Sequence, residues 1–491
     1  MNSDDSVTKH VASLEPASAV FVAGRWTSAA STFEVDDPAT GAVIASVSNA
    51  TTTEAAAAVN AASDALPGWR RTPPRERSEL LRRAYELMLD DSERLVTLVM
   101  AENGKAERDA RAEVTYAAEF FRWFAEETVR TDGSYGESPA GGTRTIVTHR
   151  PVGVAALVTP WNFPAAMVTR KIAPALAAGC TVMLKPAAET PLTALAITRL
   201  LVEAGLPAGV VNVVPTLDAP AVVSGWLDDT RVRKISFTGS TNVGRVLLRQ
   251  AADRVVNSSM ELGGNAPLIV TEDADLDAAV AGAMTAKFRN GGQACTAANR
   301  FYVHEDLADE FTARLGAQVE ALAVGPAQDG GTHIGPMISA RAVAKTEQLV
   351  TDAISAGARV AHQATVPEGL TGWFCPPIVL SDVSPDAGIV AEEIFGPVAP
   401  IVTWRTDAEV VDYANSSEYG LAAYVFAGDL QRALRLAEAL DAGMVGVNRG
   451  LVSDPSAPFG GVKQSGLGRE GAREGLNEFT ETQYFSVEWP A

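Results

Sequence analysis

Short apolar runs alternate with helix-length segments through the middle of the chain. Strand-like runs occur at 154–159, 181–185, 210–214 and 234–237. Segments with helical periodicity lie between and after them, at 165–178, 191–204, 219–227 and 241–252. A strand followed by a helix, repeated in this way, predicts a parallel sheet with helices on its faces, and ligands of such sheets bind where strands end and helices begin.

The part of the chain before this alternation is different in pattern. A loose N-terminal tail and a short extended patch at 21–26 precede helical segments at 53–66, 74–90, 92–102 and 114–128. Residues 133–142, rich in Gly and Ser, then lead into a strand of mixed polarity. Such a strand exposes unpaired backbone groups that proteins usually cover, often with another subunit, so we expect an oligomer.

Length and charge exclude several classes of protein. The 491 residues predict two or three domains. They carry 60 acidic and 40 basic side chains, a net charge of -20, and this field repels nucleic acid and anionic membranes. We find neither a signal peptide nor an apolar span of membrane length, and therefore expect a cytoplasmic protein. Three scattered cysteines and five histidines without ligand-like spacing predict no metal site.

Candidate chemistry is concentrated between residues 260 and 300. Glu261 stands beside glycines, and Cys295 follows the Gly291-Gly292 pair, whose missing side chains allow a tight turn and close approach of a substrate. A thiol nucleophile with a carboxylate base is one interpretation. A small buried cysteine of the core is equally compatible with the residues alone.

The ends of three predicted strands add further candidates, each with an alternative. Gly239 and Ser240 place a turn and free helix amides where a pyrophosphate could bind, although they could simply cap the helix. Lys185 could reach a ribose or phosphate, or be a solvated surface lysine. Asn162 is fixed by Pro160 and Pro164 and could donate to an oxyanion, or cap the helix that follows.

Several motifs in register resemble one family. PWNFP, FTGSTNVG, MELGGN, GGQACTAANR, EEIFGPV and PFGGVKQSGLGRE occur in the order and spacing of the aldehyde dehydrogenase superfamily, from about residue 21 to the end. The resemblance implies an α/β fold with two Rossmann-like parallel-sheet domains and a small β ribbon. The NAD(P)-binding domain would comprise 1–131 and 152–258, the catalytic domain 259–476, and the oligomerisation ribbon 132–151 with 477–491.

The resemblance also implies roles for individual residues. Cys295 matches the nucleophile, Glu261 the general base and Asn162 the oxyanion donor, while Lys171 and Glu470 match a proton-relay pair. An aldehyde would be oxidised to a carboxylate through a thiohemiacetal and a thioester on the cysteine. The predicted cofactor-binding residues are Thr159, Pro160, Trp161, Lys185, Ala188, Glu189, Gly239, Ser240, Gly244, Glu393 and Phe395, the last two at the nicotinamide end.

A narrower likeness concerns the substrate. KFRNGGQACTAANR and WNFPAAMVTRK resemble succinate-semialdehyde dehydrogenases, and the positions matching their carboxylate-binding residues are Arg170, Arg289 and Ser453. For each arginine alone, a surface helix position is the simpler interpretation. Glutarate semialdehyde or a broader range of aldehydes is the alternative substrate. A coenzyme-A-acylating enzyme or a non-catalytic structural relative is disfavoured by Glu261 and by the complete catalytic set.

One departure from the family pattern bears on the cofactor. Many NAD-specific members carry a glutamate where this chain has Ala188, so neither a ribose clamp nor repulsion of a 2′-phosphate is expected there. Lys185 would then attract that phosphate, and NADP is the preferred prediction. The neighbouring Glu189 keeps NAD as the alternative. The sequence predicts a homo-oligomer without distinguishing a dimer from a tetramer.

Overall fold

A computed structural model describes residues 11–12, 18–130 and 132–489 of the protein. Most of the predicted N-terminal tail, residue 131, and the last two residues of the predicted ribbon lie outside the described residues.

Residues 18–130 form two strand pairs and four helices. The strands are β1 (Val20–Val22), β2 (Arg25–Thr27), β3 (Thr32–Asp36) and β4 (Val43–Ser48). The helices are α1 (Thr52–Trp69), α2 (Pro74–Asp90), α3 (Ser92–Asn103) and α4 (Glu107–Thr128). Helix α4 begins at Glu107, before the predicted residue 114. Its first turns lack apolar periodicity because they bury the polar side chains of Asp109 and Glu113.

The alternating region folds as predicted, after a two-stranded excursion. The excursion consists of β5 (Ser134–Glu137) and β6 (Thr143–Pro151). The strands that follow are β7 (Val154–Val158), β8 (Thr181–Lys185), β9 (Val211–Val213), β10 (Val232–Thr238) and β11 (Asn257–Glu261). The helices between them are α5 (Ala166–Ala178), α6 (Pro191–Glu203), α7 (Ala219–Asp228) and α8 (Thr241–Ala252).

The rest of the chain, residues 262–489, builds a second α/β unit and also adds strands to the first sheet and to the excursion. Its strands are β12 (Ala266–Val270), β13 (Ala298–His304), β14 (Arg359–Gln363), β15 (Ile378–Ser381), β16 (Val398–Trp404), β17 (Tyr419–Gly420), β18 (Ala422–Phe426), β19 (Met444–Val447), β20 (Val462–Lys463), β21 (Gly466–Leu467) and β22 (Thr480–Glu488). Its helices are α9 (Leu276–Phe288), α10 (Ala308–Glu320), α11 (Ala340–Ser355), α12 (Gly388–Ala391), α13 (Asp407–Asn415), α14 (Leu430–Ala439) and α15 (Ala472–Asn477).

Two large sheets carry these elements. The first has the order β2-β1-β9-β8-β7-β10-β11-β21, and the second β14-β15-β16-β13-β12-β18-β19. Strands β7 to β11 are parallel, whereas β21 pairs antiparallel with β11 and sets Gly466 opposite Glu261. Both sheets have buried apolar clusters on two faces, so each is the middle layer of an α/β/α sandwich.

The excursion pairs with the end of the chain. Strand β22 runs antiparallel to β6 from Thr480 opposite Pro151 to Glu488 opposite Thr143, and β5 covers the other edge of β6. The exposed large side chains of this three-stranded sheet and of the residue that follows β22 include Tyr135, Tyr484, Phe485 and Trp489. The predicted domain bounds stay a prediction. Among the described residues, no helix combines the length and apolarity needed to cross a membrane.

Two helical glycines offer a matched test of this packing. A Cβ on Gly282 of α9 would overlap the buried ring of Phe426, whereas one on the exposed Gly225 of α7 would meet nothing within 4 Å. We expect Gly282→Ala to destabilise the protein by about 1–3 kcal/mol through overpacking. Gly225→Ala should stabilise it by about 0.5–1 kcal/mol, because alanine is the better helix former.

Thermal unfolding midpoints at one protein concentration provide the measurement. A Gly282→Ala midpoint at or above that of the wild type would show that α9 does not pack against β18 as described.

Candidate active site

A cavity of about 580 Å³ opens at the carboxyl ends of β7, β10 and β11, where the first sheet faces α11 and the Cys295 segment. The predicted site residues that line it are Pro160, Trp161, Asn162, Glu189, Gly239, Ser240, Cys295, Glu393 and Phe395. Its volume is in the usual range for small-molecule and cofactor sites. The topology therefore brings together residues that are more than two hundred positions apart in sequence.

Cys295 follows a tight turn in which two residues adopt the left-handed backbone conformation. The segment Arg289–Gly292 is a 3₁₀ turn in which Asn290 and Gly291 have φ of 52° and 60°. A Cβ on Gly264 would overlap the carbonyl oxygen of Cys295, so the loop after β11 packs directly against the thiol segment. Burial raises the pKa of the Cys295 thiol to about 12, while the neighbouring Arg170 acts to lower it.

Glu261 is the last residue of strand β11 rather than part of a loop. Its side chain is buried, and the atom Oε2 accepts no hydrogen bond from the described residues. Burial, and next Glu470, raise the pKa of Glu261 well above its ordinary value, against the opposing effect of Lys171. A carboxylate with a raised pKa is a stronger base.

Asn162 is tied to the thiol segment through its own side chain. Its Nδ2 donates to the backbone oxygen of Gln293 at 3.1 Å. An amide nitrogen carries two hydrogens, and the second has no acceptor among the described residues. Asn162 precedes helix α5 and does not cap it, since the Ala165 and Ala166 amides bond to Glu113 instead. The arrangement leaves one donor unused on a residue that lines the cavity together with Cys295.

Lys171 and Glu470 form a buried pair beside Glu261. Lys171 Nζ donates to Glu470 Oε1 at 2.5 Å and to Ser236 Oγ at 2.9 Å. The same carboxylate also pairs with Arg170, whose Nη1 lies 3.5 Å from Glu470 Oε2. Lys171 and Glu470, the predicted relay pair, thus form one connected network with Arg170, which is one of the predicted substrate arginines.

Arg170 and Arg289 have different surroundings. Arg170 is 2% exposed and stacks over the Phe459 ring at 4.0 Å, so the surface interpretation of this residue is wrong. Arg289 is partly exposed, lies 5.4 Å from the Phe163 ring centroid, and has no hydrogen bond or ion pair to another described residue. Its guanidinium group is therefore available to a ligand.

Tyr116 joins these groups and was not predicted from the sequence. Its hydroxyl accepts a hydrogen bond from Arg170 Nη2 at 3.3 Å and is hydrogen bonded to the Ser453 side chain. Arg170 and Arg289 both act to lower the pKa of Tyr116, although burial keeps it raised. The residue lies in α4, where aromatic residues at helical spacing predict only packing, so no local signal marked it.

Glu393 and Phe395, which are predicted to bind the nicotinamide end of the cofactor, contact the segments that follow β11 and β7. The Gly264 amide donates to Glu393 Oε1 at 3.0 Å, and burial raises the pKa of Glu393 to about 7. Phe395 stands edge-to-face with Trp161, with 5.5 Å between ring centroids. Together these residues form an aromatic and carboxylate wall of the cavity.

The residues predicted to bind the phosphates and the ribose of the cofactor lie at the ends of β7, β8 and β10. Ser240 caps α8 by accepting from the Val243 amide at 3.4 Å, and it also lines the cavity with Gly239. The capping interpretation is confirmed, and pyrophosphate binding stays a prediction. A Cβ on Gly244 would overlap the side chain of Leu262, so Gly244 allows close packing of α8 and lies behind that residue. The Thr159 amide donates to the backbone oxygen of Lys185 at 3.2 Å, which ties the ends of β7 and β8.

Lys185 is buried, and Ala188 lines a second cavity. Lys185 is 8% exposed, so the surface-lysine interpretation is wrong; burial lowers the pKa of Lys185 and Glu189 opposes this. Ala188 lines an adjoining cavity of about 500 Å³, together with Glu189 and, from α11, Arg341. Arg341, a cation from the second α/β unit, thus lines the same cavity as Ala188, the position where many NAD-specific relatives carry a glutamate.

Comparisons with known proteins agree with this geometry. The sequence model of the aldehyde dehydrogenase family matches residues 26–485. The chain is 52% identical to a succinate-semialdehyde dehydrogenase of Paenarthrobacter nicotinovorans, over 91% of this chain and 99% of the relative. It is 46% identical to a glutarate-semialdehyde dehydrogenase of Pseudomonas putida, over 95% and 97%.

A solved structure matches over nearly the full length. The crystal structure of an Escherichia coli NADP-dependent enzyme superposes with a TM-score of 0.95 at 45% identity, covering 97% of this chain and 99% of that one. The α/β fold and the family resemblance predicted from the sequence are confirmed.

Proposed function

We propose that this chain, which belongs to the aldehyde dehydrogenase family, oxidises succinate semialdehyde to succinate with an NAD(P) cofactor. The observation that carries the substrate proposal is that two guanidinium groups lie near the Cys295 thiol. Arg170 and Arg289 both act to lower the pKa of Cys295 and of Tyr116, so both lie near the thiol and the phenol. A short aldehyde with a distal carboxylate matches such a pair.

Each proposed catalytic role follows from the surroundings of one side chain. The Cys295 sulfur, as its thiolate, bonds to the aldehyde carbonyl carbon while the π electrons of the C=O bond move to the oxygen, and the resulting oxyanion accepts a hydrogen bond from the free amide N–H of Asn162. When bound, the nicotinamide ring supplies the hydride acceptor. Glu261 takes a proton from the water that hydrolyses the Cys295 thioester, and Lys171 with Glu470 provides a buried route for that proton to leave.

The cavity fits a nicotinamide dinucleotide. Its walls are Trp161 and Phe395, and the carboxyl group of Glu393 would hold the nicotinamide end. A Cβ on Gly263 would lie 3.1 Å from Glu393 Oε2, so a side chain there would crowd that carboxyl group. Gly239 stands at the N-terminal end of α8, where backbone amides favour a pyrophosphate.

We propose NADP as the preferred cofactor. Ala188 offers no carboxylate to repel a 2′-phosphate, and Lys185 and Arg341 supply positive charge near it. The similarity to the Escherichia coli NADP-dependent enzyme supports this choice. Glu189 lines both cavities and is the feature that favours NAD.

Glutarate semialdehyde is the second candidate substrate, because the Pseudomonas putida relative carries that name. One extra methylene leaves the same carboxylate for Arg289 to bind. We further propose a homo-oligomer assembled through the sheet of β22, β6 and β5, whose exposed aromatic residues are typical of a covered surface. The cytoplasmic location stays a prediction.

The substrate proposal predicts a selective loss in Arg289→Ala. This arginine has no ion pair to break, so its removal leaves no buried carboxylate unpaired. Loss of a charge-assisted contact costs about 1.5–3 kcal/mol, and kcat/KM for succinate semialdehyde should fall roughly ten- to hundredfold. For butanal, which lacks the carboxylate, kcat/KM should stay within about twofold.

Arg435→Ala, at an exposed position of α14, provides the control and should change neither value. Equal losses with both aldehydes in Arg289→Ala would show that this arginine supports the thiol segment instead of selecting the substrate.

The cofactor proposal predicts that the wild type binds NADP more tightly than NAD. Ala188→Glu should shift the ratio of the two dissociation constants towards NAD by about tenfold or more, because a carboxylate would repel the 2′-phosphate and bind ribose hydroxyls. Quenching of protein fluorescence measures both constants without turnover.

Ala313→Glu, at an exposed position of α10, adds the same charge away from the cavity and serves as the control. Tighter binding of NAD than NADP by the wild type would contradict the interpretation of Ala188.

A further inference from the structure

A buried ion pair lies behind the turn that carries Asn162. Lys105, between α3 and α4, and Glu113, in α4, form a salt bridge, and both side chains are fully buried. Neither belongs to the wall of the cavity. Burial lowers the pKa of Lys105, and Glu113 opposes that effect. Apolar residues of the same volume would avoid this desolvation cost, so stability alone does not account for the two charges.

The pair holds both ends of the turn. Lys105 Nζ donates to the backbone oxygen of Asn162 at 2.8 Å and lies 4.1 Å from the Phe163 ring centroid. Glu113 Oε1 accepts from the backbone amides of Ala165 at 2.8 Å and Ala166 at 3.2 Å. The cation thus fixes the residue that bears the proposed oxyanion donor, while the anion fixes the start of α5.

A second set of hydrogen bonds connects the same turn to the thiol segment. Asp109 Oδ2, one helical turn before Glu113, accepts from the Asn290 amide at 2.7 Å. Asn290 Nδ2 donates to the backbone oxygen of Asn162 at 3.0 Å and to that of Gln293 at 3.2 Å. The backbone oxygen of Asn162 therefore has two donors, and its side chain shares the Gln293 oxygen with Asn290.

We propose that Lys105 and Glu113 are positioning residues, which act through Asn162 to hold its free amide N–H where the oxyanion forms at Cys295. This inference rests on the proposed role of Asn162. An oxyanion donor must be held within about 0.5 Å of its productive position. Removing such a donor lowers the rate by about 10²–10³-fold, so a displaced donor should produce a smaller loss of the same kind.

The double variant Lys105→Met/Glu113→Gln tests the proposal. It removes both charges and nearly preserves volume, and the Gln side-chain oxygen still accepts from the α5 amides. Lys105→Met alone leaves a buried carboxylate unpaired and should lower the thermal midpoint. The double variant should recover most of that midpoint, yet its pre-steady-state burst of NADPH should be about ten- to hundredfold slower.

Two readouts separate positioning from a general structural role. The burst should slow equally for succinate semialdehyde and butanal, and the dissociation constant for NADP should not change. In an Asn162→Ala background, the double substitution should cause no further slowing, because the side chain through which it acts is gone. Arg82→Met/Glu86→Gln, which removes an exposed pair of α2, is the matched control and should keep the wild-type burst.

The outcomes distinguish this inference from the proposed function. If Asn162→Ala slows the burst and the double variant does not, the pair only stabilises the fold and the inference fails. The same conclusion follows if the double variant slows the burst equally with and without the Asn162 side chain. If Asn162→Ala keeps the wild-type burst, the proposed role of Asn162 fails and the positioning role fails with it.

Discussion

Cys295 and Glu393 line one cavity, and Glu261 is buried beside the thiol. Burial raises the pKa of all three, to about 12 for the thiol and about 7 for Glu393. A charge that forms there is poorly solvated, so the protein must stabilise it with fixed groups. Desolvation of the charged groups is therefore the constraint on this site. It makes the placement of each neighbouring cation and each amide donor decisive for the chemistry.

The surrounding cations meet this constraint in pairs. Lys171 and Arg170 share the carboxylate of Glu470, and Lys105 is paired with Glu113. Arg289, which acts on the pKa of the thiol, has no such partner among the described residues. Paired charges hold the geometry, whereas an unpaired guanidinium is free to bind the carboxylate of a ligand. This division explains how a protein with a net charge of -20 could accept an anionic substrate.

The sequence predicted the layers of the fold more completely than the site. The sequence pattern located β7, β8 and α5 to within a residue or so, because each segment is fully buried and therefore mostly apolar. Roles for Cys295 and Glu261 needed the family motifs, since both residues are also compatible with a core. Tyr116, Lys105 and Glu113 could not be predicted, because helical periodicity does not show which polar groups meet across helices.

The central claim is that Cys295 carries the acyl group and that Glu261 acts only in its removal. The most direct test is mass spectrometry of Glu261→Gln, quenched after mixing with succinate semialdehyde and NADP. We expect one succinyl adduct on the peptide that contains Cys295, formed with a single burst of NADPH and without sustained turnover. An adduct on another residue, or full turnover without an adduct, would contradict it.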